Sequence, residues 1–164
     1  MVEAAEAFRR HASFAADSDV LTKLTSLYLQ EWNEGVRYID GVSSMLERLE
    51  QRFDLSIITN THDLDLVPTH LQRLGVSQLF SQVVTSVSFG ARQPSPAIFE
   101  FAVNKLSVSP NQCMYIGDSH VPDFAGPRAV GIRPLLIDPD GTAPVEPHER
   151  ISSVLELETV LAAV

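Results

Sequence analysis

From Leu55 onward, short apolar runs alternate with amphipathic segments of helical period, and this alternation limits the fold more than any other feature. Leu55–Thr59, residues 83–87, Met114–Gly117 and residues 134–138 each read as a buried strand bounded by turn residues. Between them lie helical patterns. One carries Leu66, His70, Leu71 and Leu74 and closes at Gly75. A second carries Ile98, Phe99, Ala102 and Leu106 behind the helix-starting prolines Pro94 and Pro96. A third ends at Ala129-Val130-Gly131, and a closing helix is expected over residues 155–163. Strands alternating with helices give a parallel sheet with right-handed crossovers, so the expected fold is a doubly wound, Rossmann-like α/β domain.

Such a sheet collects its ligands at the carboxyl ends of its strands. Two strand exits here carry polar residues suited to chemistry. Met114–Gly117 runs into Asp118, with Asp123 five residues further on and no basic residue between them. Two neighbouring carboxylates repel unless a cation sits with them, and Mg²⁺ suits such hard oxygen donors. The plainer reading is a strand exit in which Asp118 or Ser119 caps a helix and Asp123 is solvated. On this stretch alone both readings stand. Leu55–Thr59 runs into Asn60, where a hydroxyl and exposed amides can hold a phosphoryl oxygen or simply form a turn. Gln93, taken alone, reads as a surface glutamine. His62, His70, His120 and His148 share no metal-ligand spacing, and His11 lies in a poorly defined helical region.

Ahead of the alternating region, residues 1 to about 35 read as helical. Ala4, Ala7, Phe8, Phe14 and Ala15 form one weak stripe. Val20, Leu24, Leu27, Tyr28 and Trp32 form a stronger one, with Asp17 or Ser18 as its cap and Trp32 expected in a core. Residues 35–41 read as a linker, and Val42, Met45, Leu46 and Leu49 start a further helix. The chain has 164 residues and 45% hydrophobic content, enough for one ordinary domain with a small appendage. Its formal net charge of −9 argues against nucleic acid or an anionic membrane surface as partner. No apolar run approaches a membrane span. A single cysteine, Cys113, is expected buried, and it fits a reducing cytoplasm. The acidic N-terminal residues show no signal-peptide pattern. Lys23 and Lys105 are the only lysines, a composition that suits a cytosol of high salt.

Taken together, the segments from about Tyr38 onward resemble the haloacid dehalogenase superfamily of hydrolases. Leu55-Ser56-Ile57-Ile58-Thr59-Asn60 is similar to its second motif. The run from Phe89 to Phe99, with Gln93-Pro94-Ser95-Pro96 inside it, is similar to the segment around its third. Gly117-Asp118-Ser119 with Asp123, then Gly126 and Ala129-Val130-Gly131-Ile132, is similar to its fourth. The resemblance implies a core over residues 39–164 and, over 1–38, a remnant of the family's helical cap. It implies Mg²⁺-dependent hydrolysis of a small phosphorylated molecule through an aspartyl-phosphate. Thr59, with Asn60, would contact the phosphoryl group. Asp118 would ligate Mg²⁺, Asp123 would support that site, and the Gln93 position would bridge nucleophile and phosphoryl oxygens.

Two departures from the family pattern shape the functional expectation. The third-motif lysine is Gln93, so a charge-assisted contact is replaced by a neutral one. The first-motif strand and its D-x-D are absent from the amino-terminal side, which predicts a chain truncated inside the cap and a sheet with a central gap. An incomplete sheet invites self-association. A D-x-D-G-T run does occur, at Asp138-Pro139-Asp140-Gly141-Thr142. With its strand outside the fourth-motif strand, Asp138 would lie three strand spacings, about 14 Å, from Thr59. A permuted site would require that strand to move into the central slot. The expectation is therefore an impaired or inactive family member. The alternatives are an active phosphatase, with a coding start further upstream or with Asp138 and Asp140 in a permuted site, and a non-catalytic binding or scaffolding domain. A gene remnant without selected function is a third.

Overall fold

The computed structural model describes residues 18–162. The chain divides into two compact units, Met1–Ile39 and Asp40–Val164. In the first, helix α1 spans Ser18–Gly35. Its apolar stripe is exposed rather than buried: Leu24 is 56% accessible and Trp32 46%. The helical period holds over this segment, but Trp32 is exposed and not in a core. The expected stripe from Ala4 to Ala15, His11 and the cap at Asp17 or Ser18 lie outside the described side chains.

The second unit holds helix α2 (Val42–Glu50), strand β1 (Leu55–Thr59), helix α3 (Leu66–Leu74), strand β2 (Phe80–Thr85) and the short helix α4 (Ser86–Phe89). Helix α5 (Pro96–Leu106), strand β3 (Met114–Gly117), a π-helical turn (His120–Ala125), α6 (Gly126–Ala129), β4 (Arg133–Ile137), β5 (Arg150–Ile151) and α7 (Leu157–Leu161) follow. Local chemistry explains most boundaries. α3 stops where Gly75 takes a left-handed conformation (φ 76°) and its amide bonds back into the last turn. α5 starts on Pro96, whose missing N–H costs nothing at a first helical position. β2 ends earlier than the expected residue 87. The Thr85 side chain accepts from the Ser88 amide while Ser88 reaches back to Thr85, and this capping box turns the chain into α4.

All strand pairs are parallel, as the alternation requires. β1 pairs with β2, Ile57 opposite Val83 and Thr59 opposite Thr85. β3 pairs with β4, Gly117 opposite Leu136, and β4 with β5. The strands form two sheets, β1-β2 and β3-β4-β5. Among the described residues no strand joins the inner edges of β1 and β3. Helices on both faces hold the two sheets in one unit. On one face, α5 contributes Ile98, Phe99, Ala102 and Val103 to a core with Val84 and Ile132, against which Ile58 of β1 and Tyr115 of β3 pack. On the other, Met45 and Leu49 of α2 and Leu157 of α7 form a core with Leu135 and Ile151, joined by Leu55, Met114 and Ile116. Alternate residues of β3 thus feed opposite cores, which is the period of a strand covered on both faces. Gln82, buried on β2, donates to the Ala102 carbonyl at 2.8 Å and ties α5 to the sheet. Cys113 is half-buried at the entry to β3 rather than fully in the core. No helix among the described residues is long and apolar enough to cross a membrane.

Candidate active site

β1 and β3 run parallel to their partners, so their carboxyl ends carry the two polar segments singled out in the sequence. At the end of β3, Asp118 is exposed. The next residue, Ser119, touches both acids: its amide donates to Asp123 Oδ2 at 3.0 Å, and its hydroxyl donates to Asp118 Oδ1 at 3.4 Å. The π-helical turn delivers Asp123 back over the strand end, closed by the Asp123 amide on the Ser119 carbonyl at 2.9 Å. Pro122 sits inside this turn and has no amide to give to a regular ladder.

Gly117 makes this return possible. A Cβ there would stand 2.7 Å from Asp123 Oδ2 and closer still to that residue's Cβ and Cγ. Gly117→Ala is therefore expected to push Asp123 off the strand end. The cost of such overpacking is typically about 1–3 kcal/mol. A lowered urea midpoint would show it, and an unchanged midpoint would contradict the packing described.

Asp123 is half-buried, and burial pushes its carboxyl above the usual aspartate range. The Ser119 amide pulls it back, and the Asp118 carboxylate pushes it up again. A folded-state pKa raised above the unfolded value means that the native protein holds the proton more tightly. Stability from this group is full below the ordinary aspartate pKa and is lost as pH rises through the raised one. In metal-free protein, Asp123→Asn is thus expected to raise the melting temperature at neutral pH and to gain less near pH 4. An equal gain at both values would contradict the linkage.

On the β1 side, Asn60 does not stand free. Its Nδ2 donates to the Gln93 carbonyl at 3.1 Å and its Oδ1 accepts from the Gln93 amide at 2.9 Å. The residue after β1 therefore clamps the loop ahead of α5. Thr59 closes β1 opposite Thr85, and Ser86 Oγ bonds both the amide and the carbonyl of Thr61. Gln93 is 7% accessible, not a surface glutamine. Its Nε2 donates to the Tyr115 hydroxyl and reaches Asp123 Oδ1 at 3.4 Å. The Tyr115 hydroxyl donates across to the Ile58 carbonyl of β1 at 3.0 Å. Sequence reasoning took Tyr115 only as an apolar strand residue. A lone polar tip within an apolar run was its one signal.

Asp138 lies elsewhere. β4 is paired to β3 on one side and β5 on the other, so it does not fill the slot between β1 and β3. The Asp138 carboxylate accepts from the Thr142 and Ala143 amides and from Arg150 Nη1 at 2.8 Å. These bonds brace the loop that leads to β5. Asp140 is exposed in the turn beside Gly141. His120 stacks on Phe124, and the Arg128 guanidinium also lies over the Phe124 ring, 4.4 Å from its centre.

The arrangement offers hard oxygen donors at one strand end and a threonine with backbone amides at the other. An exposed carboxylate beside a second one that carries its electrostatic strain fits Mg²⁺, which keeps several waters and takes only one or two carboxylates. Among the described residues no cluster of three Asp, Glu, His or Cys side chains forms. A parallel α/β unit with acids at a strand exit is the arrangement in which open α/β sheets place their ligand sites. A model of haloacid dehalogenase-like hydrolases matches residues 2–137. Human N-acylneuraminate-9-phosphatase is 28% identical over 130 residues, covering 76% of this chain and 52% of the human protein. A ribulose-1,5-bisphosphate 5-phosphatase of Halopiger xanaduensis is 30% identical over 135 residues, covering 81% of this chain and 55% of its own. Among solved structures, the Bacillus subtilis hydrolase YfnB, bound to magnesium, gives a TM-score of 0.77 at 25% identity, covering 95% of this chain and 68% of that one. A 2-haloacid dehalogenase from Pseudomonas syringae gives 0.72 at 27% identity, covering 91% and 65%. The chain belongs to the haloacid dehalogenase-like hydrolases. It spans about half the length of the curated relatives it matches.

Proposed function

We propose that this site belongs to the phosphatase branch of the family's chemistry, Mg²⁺-dependent hydrolysis of a small phosphate ester, and that these 164 residues do not sustain turnover by themselves. The phosphatase names of the relatives support the reaction class. The observation that carries the second half is the division of the sheet. Thr59 and Asn60 end one sheet, Asp118 and Asp123 follow the other, and no described strand between them presents a carboxylate. Gln93 adds to this: its amide is spent on Tyr115 and Asp123, and it brings no charge to a phosphoryl group.

Asp118 would hold Mg²⁺ with Asp123 beside it, and the ion, when bound, would neutralise charge on phosphoryl oxygens. Thr59 would donate its hydroxyl to a phosphoryl oxygen from the β1 side. Asn60 would shape the pocket by holding the backbone of Gln93 rather than by touching the ligand. Helix α1 would descend from the family's cap.

With one exposed carboxylate and one half-buried and bonded to the Ser119 amide, Mg²⁺ should bind weakly. Calorimetric titration is expected to give a millimolar-range dissociation constant, on the order of the weakest carboxylate sites, abolished by Asp118→Asn. Binding that survives Asp118→Asn would refute the metal assignment.

A further inference from the structure

We propose that Tyr115 is a positioning residue for the Asp118–Asp123 cation site, acting through Gln93; this rests on the reading of that site as a divalent-cation site.

The phenol has one hydrogen and one nearby acceptor at good distance, the Ile58 carbonyl at 3.0 Å. Asp123 Oδ1 lies farther off, at 3.5 Å, the weaker of the two acceptors. The hydrogen therefore goes to Ile58, and the Tyr115 oxygen is left as an acceptor. Gln93 Nε2 fills that role. A carboxamide has two N–H groups in one plane. Fixing one on Tyr115 turns the other toward Asp123 Oδ1, a long contact at 3.4 Å. The other end of Gln93 cannot swing, because Asn60 holds both its amide and its carbonyl. The Tyr115 ring is fixed in turn, edge-on to Phe99 at 5.5 Å and 83°.

The outcome is a chain of directed donors: Gln93 to Tyr115, Tyr115 to the Ile58 carbonyl, and Gln93 again to Asp123. Asp123 then has one oxygen oriented by the Ser119 amide and the other by Gln93. The same chain ties the inner edge of β1 to β3 where no described strand does so. A neutral glutamine suits this role better than a charged side chain would. It orients the carboxylate without competing with a cation for it.

Outer hydrogen-bond partners of metal-binding side chains typically control about 10–100-fold in metal affinity. Tyr115→Phe keeps the ring against Phe99 and removes only the hydroxyl. The test is titration of the whole chain with Mn²⁺ alone, the free ion followed by its paramagnetic resonance signal. Wild type, Asp118→Asn, Tyr115→Phe, Gln93→Met and the Tyr115→Phe/Gln93→Met double variant are compared, each with its melting temperature. The proposal predicts that Tyr115→Phe weakens Mn²⁺ binding by about 10–100-fold. It also predicts that the double variant loses no more than the worse single one, because both act on one chain. Wild-type affinity in Tyr115→Phe overturns it, and so does a double loss equal to the product of the single losses. If Tyr115→Phe melts below the assay temperature, Gln93→Met decides, and an unchanged affinity there overturns it. Wild-type protein with no Mn²⁺ uptake dependent on Asp118 overturns the cation-site reading, and the proposal with it.

Discussion

Phe99→Ala is expected to lower the unfolding free energy by about 3–5 kcal/mol. Phe99 is fully buried and sits at the middle of the α5-face core, with Val84 from one sheet and Ile132, ahead of β4, from the other side. With the two sheets unpaired, such side-chain layers carry the cohesion that a continuous ladder otherwise shares. Its ring also closes over Gly126, where an added Cβ would lie 3.0 Å from Phe99 Cε2. Collapse into the cavity is therefore resisted by the backbone at the start of α6, just after the turn that carries Asp123. Domains of this size are stable by only about 5–15 kcal/mol, so the variant should approach unfolding at room temperature. Urea denaturation is the check, with the midpoint falling and the slope unchanged. A loss under about 1 kcal/mol would mean that the core accommodates the truncation and that the two sheets are held together by something else.

How far the sequence reveals this protein depends on the range of the interactions involved. β1, β3 and α5 were legible because each is set by a local pattern: an apolar run, a turn, a helical stripe behind prolines. The end of β2 was not, because a capping box between Thr85 and Ser88 overrides the β-branched run that continues to Val87. β5 was missed altogether. Arg150 and Ile151 form a strand only because β4 pairs with them, and two residues carry no period. The stripe on α1 predicts a helix with an apolar face but cannot say what covers that face, and Trp32 turned out exposed.

The site divides in the same way. Asp118 and Asp123 are visible as acids at a strand exit, and Thr59 as the end of an apolar run. The bonds that join them are not. Asn60 meets Gln93 across 33 residues of chain, Gln93 meets Tyr115 across 22, and Tyr115 meets Ile58 across 57. Only the folded sheet brings these pairs together. The reading of Gln93 as a surface residue fails for this reason. A glutamine is buried when enough partners converge on it, and none of its partners is a neighbour in sequence.

The largest effect expected is on turnover. On the reading proposed above, these residues supply no covalent nucleophile, and loss of such a nucleophile costs on the order of 10⁶ in kcat where such knockouts have been made. The missing cationic contact at Gln93 adds about 10²–10³. On the proposed reading, no described residue makes up for either loss. Asp138 is locked to Arg150 on the far side of β3, and Gln93 is committed to Tyr115 and Asp123. If the proposed reading holds, Gln93→Lys alone recovers no activity, since it returns the charge without a nucleophile.

The decisive measurement is phosphate release from a generic phosphate ester by the purified 164-residue chain with saturating Mg²⁺, alongside Asp118→Asn and Asp138→Asn. A rate at the buffer background for all three is the predicted result. Mg²⁺-dependent release that disappears in Asp118→Asn would contradict the claim that the two half-sites cannot turn over by themselves, and loss in Asp138→Asn would identify the nucleophile that the described fold places out of reach.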